Sequence, residues 1–358
     1  MNAVHQFLPT FAAGDAIGNY VLALRRVLRE AGYQSEIFAD DVHAAVRGQA
    51  RHYREFRAAG PAWLLYHLST GSPMAEFLAG RPEPLSVYYH NITPAEFFDR
   101  WEPGAAENVR RARTEMRRLA SATRLAMANS SYSAAELAAE GYPDPLAVPV
   151  LIDFSGYDAP PDAATLTRLR KAAEGGGAHW LFVGRLAPNK CQHDVIGAFA
   201  AYRELFDRRA RLSLVGGTTS PLYRRALEQL VDELDLGQCV ELADVVGFAG
   251  LLAYYATADV FVSLSQHEGF GVPLLEAMHF GVPVVALGSS AVPETVGAAG
   301  VLLEEGDPVL AACAVERVVS DGGLRAELVA AGREQLEELS FERVAKRTLA
   351  VLAGGERG

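Results

Sequence analysis

Apolar residues along this chain gather into short runs, and between the runs apolar positions recur every three or four residues. That alternation predicts strand, loop and helix units, the signature of an α/β protein with parallel sheets. In the first half the run AVHQFLP leads into a glycine-punctuated loop and then the amphipathic segment GNYVLALRRVLREAG, after which YQSEIFA reads as a strand. Further strands are predicted at WLLYHL, LSVYYH and RLAMAN. Between Pro143 and Pro161 the pattern breaks into a stretch rich in proline, glycine and aspartate, which reads as an interdomain linker. A second series then supplies HWLFVG, RLSLVGG, CVELAD, DVFVSLS and VPVVAL as strands. The resulting division is a domain over 1–153, a linker over 154–177, a second domain over 178–340 and a final helix over 341–358 that packs back toward the first domain.

Composition narrows the function classes. The 358 residues are 50% hydrophobic and 22% charged, enough for two ordinary cores. A formal net charge of −11 argues against nucleic acid as a partner, so an anionic ligand needs a local basic pocket. No apolar run approaches the roughly 18–20 residues that span a bilayer, and the first residues lack the pattern of a signal peptide; the expectation is a cytoplasmic protein. The arginine-rich segment from Arg110 to Arg118 reads first as a solvated helix face, and second as a peripheral contact with the inner membrane face or with a lipid-linked acceptor. Cys191, Cys239 and Cys313 are odd in number and far apart, which predicts reduced core thiols. The absence of HExxH and of any Asp-x-Asp tripeptide leaves no expected metal or cofactor.

The chemistry concentrates after the strand DVFVSLS, in Ser265 to Met278, SQHEGFGVPLLEAM. Pro273 suits the first turn of a helix, so Gly269, Phe270, Gly271 and Val272 are expected to form a tight loop whose amides point outward at the helix's positive end. Glu268 before the loop and Glu276, expected in the first turn of the helix, flank that surface and can accept hydrogen bonds from sugar or ribose hydroxyls. In the second basic segment, Gly184 to Lys190, Arg185 and Lys190 stand at the carboxyl end of a predicted strand, where open α/β sheets bind ligands. Two cations there can neutralise a diphosphate. His90, ending LSVYYH, reads as a candidate for contact with the ligand or as a turn-bonding histidine; His67 is a similar strand-end residue, and His267 is placed to orient the loop beside Glu268.

Together these motifs resemble the retaining glycosyltransferases of family four, the group-one transferases. The resemblance rests on Glu268 and Glu276 as a Glu-x7-Glu motif, on Gly184-Arg185-Leu186 with Lys190, and on VPVVALGSSAVPETVGAAGVLL. In the first half it rests on the loop Gly14 to Asn19, on Tyr89-His90-Asn91-Ile92-Thr93-Pro94 and on Asn129-Ser130-Ser131. It implies a GT-B architecture of two Rossmann-like domains facing across a cleft. By position it implies that Arg185 and Lys190 hold the donor diphosphate and Glu276 the ribose. Glu268 and the amides from Gly269 to Val272 would hold the transferred sugar, Gly14 would contact the β-phosphate, His90 the sugar, and Val246 to Phe248 the base. The implied activity is metal-independent hexose transfer, with retention, from a nucleotide diphosphate sugar to a saccharide or lipid-linked acceptor. The surface-polysaccharide character of the first-half motifs favours GDP-mannose over UDP-hexoses. A sugar-nucleotide epimerase or hydrolase, and a non-catalytic nucleotide-sugar sensor, stay open as alternatives.

Overall fold

The computed structural model describes residues 3–12 and 14–355; the extreme ends of the expected domains, 1–2 and 356–358, lie outside the described residues. The chain divides into two compact units, one of 1–99, 103–153 and 339–358, the other of 100–102 and 154–338.

The first unit holds β1 (Ala3–Phe11), β2 (Ile37–Val42), β3 (Arg51–His52), β4 (Ala62–Leu68), β5 (Leu85–Tyr89), β6 (Thr123–Ala128) and β7 (Leu146–Ala147), hydrogen-bonded in the order β3-β2-β1-β4-β5-β6-β7. Every pairing is parallel. All of β4 and β5 is buried, which is why their sequences read as continuous apolar runs instead of alternating ones. The helix Ala16–Glu30 buries Tyr20, Val21, Leu24, Val27 and Leu28 at helical spacing, and the Asp15 carboxylate caps it by accepting from the Gly18 amide. A Cβ on Gly18 would lie 2.5 Å from the Ala12 carbonyl oxygen, so only glycine lets this helix start so close to the end of β1. The helix Phe341–Gly355 completes this unit, with Val344, Thr348 and Leu352 buried and the Arg347 guanidinium donating to the Ala147 carbonyl.

The second unit holds β8 (His179–Val183), β9 (Arg211–Val215), β10 (Val240–Ala243), β11 (Val260–Ser263), β12 (Val284–Leu287) and β13 (Gly300–Leu303), in the order β10-β9-β8-β11-β12-β13. All of these pairs are again parallel. Counted from its own first strand this is the order 3-2-1-4-5-6, the doubly wound dinucleotide-binding arrangement, with the order reversing between β8 and β11. Trp180, Phe182, Phe199 and Tyr202 anchor its core.

The stretch 154–177, expected as a linker, belongs to the second unit. Asp162 caps the helix Ala163–Ala173 by accepting from the Thr165 amide at 2.7 Å, Leu169 is buried, and Arg168 pairs with Glu241 at 3.0 Å. Its prolines and Gly156 precede the helix and Gly175 to Gly177 follow it, so none of them interrupts it. Residues 100–102 also join this unit, where the Ser220 hydroxyl donates to the Trp101 carbonyl and Thr219 to the Glu102 carboxylate.

Candidate active site

The reversal point of the second sheet collects most of the residues singled out from sequence. After β8 the chain turns through Gly184, whose φ is +155°, and the Gly184 amide donates to Val215 at 2.9 Å. A Cβ on Gly216 would meet the Gly184 carbonyl oxygen at 2.1 Å, so the two strand ends meet only because residue 216 carries no side chain. Arg185 projects from this turn, exposed, and its guanidinium has no ion-pair partner among the described residues. The loop after β11 is tied to the loop after β8: the Asn189 amide side chain donates to the His267 carbonyl at 3.1 Å, and the Gln266 amide donates to the Asn189 carbonyl at 3.0 Å. These bonds bring Lys190 and Glu268 together as an ion pair of 2.6 Å, largely shielded from solvent. The two residues were expected to face different parts of a ligand, and they face each other.

From Glu268 the chain enters the glycine loop. The Glu268 amide donates to the Ser290 hydroxyl at 2.7 Å, and the Thr295 hydroxyl donates to the Phe270 carbonyl. Gly271, at φ +93°, caps the helix Val272–His279, and Pro273 occupies its first turn as expected. The amides of Gly269, Phe270 and Gly271 have no acceptor among the described residues. They are three donors left over at a helix N-terminus.

Glu276 differs from expectation. It is the fifth residue of its helix, one turn deeper than the first turn assigned to it, and only 7% exposed. Tyr157 donates to its Oε1 and Tyr255 to its Oε2, each at 2.6 Å. Burial pushes the carboxyl above its ordinary value, and the two hydroxyl bonds pull it back toward the ionised form. Tyr157 also lies edge-on to the ring of Phe248, with centroids 5.0 Å apart, so it links Glu276 to the Val246 to Phe248 segment. Phe248 is itself exposed and Val246 partly so.

Gly14 and His90 belong to the first unit. Gly14 sits exposed at φ +73° just before the helix Ala16–Glu30. His90 directly follows β5; its carbonyl accepts from the Asn129 side chain at 3.1 Å, and Asn91 turns the chain at φ +76°. Its ring meets the buried His67 at 3.0 Å.

Residues 177–321 match the family described as "Glycosyl transferases group 1". The second unit carries a group 1 glycosyltransferase domain. The chain is 26% identical over 302 residues to an O-antigen chain mannosyltransferase B of Escherichia coli, covering 84% of this chain and 74% of that one. It is 29% identical over 317 residues to a D-inositol 3-phosphate glycosyltransferase of Thermobifida fusca, covering 84% and 70%. Among solved structures it superposes on Anabaena HepE in complex with UDP and glucose at a TM-score of 0.75, 18% identical, over 99% of this chain and 100% of the other. A sucrose-phosphate synthase from Thermosynechococcus elongatus superposes at 0.76, 19% identical, over 99% of each. The fold, two parallel-sheet α/β units, is GT-B.

Sequence reasoning missed several residues that shape the glycosyltransferase domain's site. Tyr157 lies in the stretch dismissed as linker, and Tyr255 sits on the helix Phe248–Tyr255, where an aromatic residue reads as core. Asn189 carried a signal only through its neighbours. The three thiols also differ from the expectation of core cysteines: Cys191 is buried, Cys239 partly so, and Cys313 exposed. Cys191, His193 and Asp194 come close enough to share an ion, the one such group found among the described residues. The Cys191 thiol donates to the Pro188 and Asn189 carbonyls, and burial pushes it up to about 12. In the first unit the arginine run is engaged with its own protein. Arg110 pairs with Asp99, Arg111 with Glu115, Arg113 with Glu136 and Arg117 with Glu140. No helix among the described residues is long and apolar enough to cross a membrane.

Proposed function

We propose that this protein is a retaining hexosyltransferase that moves a sugar from a nucleotide diphosphate sugar to an acceptor hydroxyl in polysaccharide or glycoconjugate assembly. The observation that carries the reading is the joining of Lys190, Arg185 and the unpaired amides of the glycine loop at the reversal point of the second sheet. Arg185 and Lys190 hold the diphosphate, with Gly184 leaving room for it. Glu268 keeps Lys190 in place and, with the amides of Gly269, Phe270, Gly271 and Val272, holds the sugar. Glu276 accepts from the ribose; a carboxylate has about four lone-pair sites, of which the two tyrosines use two. Phe248 and Val246 flank the base. Gly14 and His90 keep the roles that the family resemblance implies, the β-phosphate and the sugar.

In the reaction the bond from the anomeric carbon to the departing diphosphate breaks as the acceptor oxygen bonds to the same face of that carbon. The acceptor's proton passes to the departing phosphate oxygen. Arg185, Lys190 and the loop amides stabilise the charge that grows on the phosphate, so the step needs no metal. The mannosyltransferase relative supports GDP-mannose as donor, with UDP-hexoses next.

The experiment is a thermal-shift screen of GDP-mannose and UDP-hexoses, in which a donor at 100 times its dissociation constant adds about 2.7 kcal/mol. The stabilising donor is then incubated without acceptor, and the sugar first released by slow transfer to water is followed by proton NMR. Retention requires that the α-linked donor first releases α-hexose. First release of the β-anomer contradicts it, and solvent deuterium appearing in recovered donor would mark an epimerase.

A further inference from the structure

Three polar side chains lie side by side within the first sheet. Gln6 on β1 and His67 on β4 are fully buried, and His90 follows β5. Such groups are retained in a core only where each finds a partner, and here the partners form a single chain with a direction. The Gln6 Nε2 lies 3.0 Å from the Val21 carbonyl, which can only accept, so the amide nitrogen faces the helix and Oε1 faces the sheet. Gln6 Oε1 lies 3.0 Å from His67 Nε2. An amide oxygen has no proton to give, so His67 carries its proton on Nε2.

Burial holds the His67 ring neutral, its pKa well below the ordinary value, so its Nδ1 is bare and accepts. The group 3.0 Å from that nitrogen is His90 Nε2, which must therefore be the donor. His90 is also driven by burial to about 3 and stays neutral at ordinary pH. A neutral imidazole with its proton on Nε2 has a bare Nδ1, and His90 Nδ1 has no hydrogen-bond partner among the described residues.

We propose that Gln6 and His67 are positioning residues that lock His90 in its Nε2-protonated form, so that His90 offers Nδ1 to its ligand as an acceptor for a hydroxyl. The inference rests on the reading of His90 as a ligand-facing residue, and it adds the sense of the contact: His90 receives a proton-bearing group and does not donate one. Tyr20 and Tyr88 pack their rings against both histidines.

The test is two-bond proton–nitrogen NMR on the full chain with ¹⁵N-labelled histidine, which distinguishes protonated from bare ring nitrogens without substrate. The expected spectrum gives both His67 and His90 a protonated Nε2 and a bare Nδ1. A proton on His90 Nδ1 overturns the proposal. Gln6→Leu removes the acceptor that starts the chain; both histidines should then show mixed tautomers, and kcat with the stabilising donor should fall while nucleoside diphosphate affinity stays within about twofold of wild type. If the tautomers mix and kcat does not change, the positioning role is overturned while donor binding by the second unit is untouched. If Gln6→Leu does not fold, the wild-type spectrum alone decides the tautomer claim.

Discussion

Glu276 shows how far a residue's type can be read without its surroundings. Its spacing from Glu268 was legible in the sequence, and its burial was not, because the tyrosines that receive it come from a stretch 119 residues earlier in the chain and from a separate helix. The burial has a thermodynamic sign. A carboxyl whose folded pKa is raised binds its proton more readily folded than unfolded. Its favourable contribution is therefore complete below the unfolded value near 4.5 and is lost as pH rises through the higher folded value. At neutral pH the buried charge is a net cost relative to a neutral group of the same shape. Glu276→Gln should thus raise the melting temperature at pH 7, and the gain over wild type should shrink toward zero below about pH 4.5. Destabilisation at pH 7 that fades below about pH 4.5 would mean that the tyrosine bonds to the charged form outweigh its desolvation.

At the scale of elements, the long runs were readable because strands buried on both faces have no alternative identity. The edge strands β3 and β7, two residues each, carry no pattern to read, and β13 is only partly buried along its length. The helix Ala163–Ala173 was hidden by the prolines before it, although Asp162 with Thr165 offered a capping signal. The glycines were legible as loop formers but not as contacts. Gly216 is the sharpest case, since its missing Cβ leaves room for the Gly184 carbonyl and so sets where Arg185 leaves the sheet. Gly216→Ala should cost about 1–3 kcal/mol, as overpacking does, and should also weaken nucleoside diphosphate binding beyond what the lost stability explains. Chemical denaturation and calorimetry on the same preparation separate the two effects. A fully stable Gly216→Ala protein would show that the strand ends can part.

For the whole molecule, a net charge of −11 repels an anionic donor everywhere except where cations are concentrated, which places the burden of binding on Arg185 and Lys190. One of these, Lys190, is already paired to Glu268, and the other is exposed. The central claim is that these two cations, without a metal, hold the donor's diphosphate. It is tested most directly by isothermal titration of GDP and UDP into wild-type, Arg185→Ala and Lys190→Ala proteins, all in excess EDTA. Wild type should bind at least one nucleoside diphosphate in EDTA, and each variant should bind it about tenfold or more weakly, the loss expected of one charge-assisted hydrogen bond of about 1.5–3 kcal/mol. Binding abolished by EDTA in wild type, or undiminished in both folded variants, would contradict it.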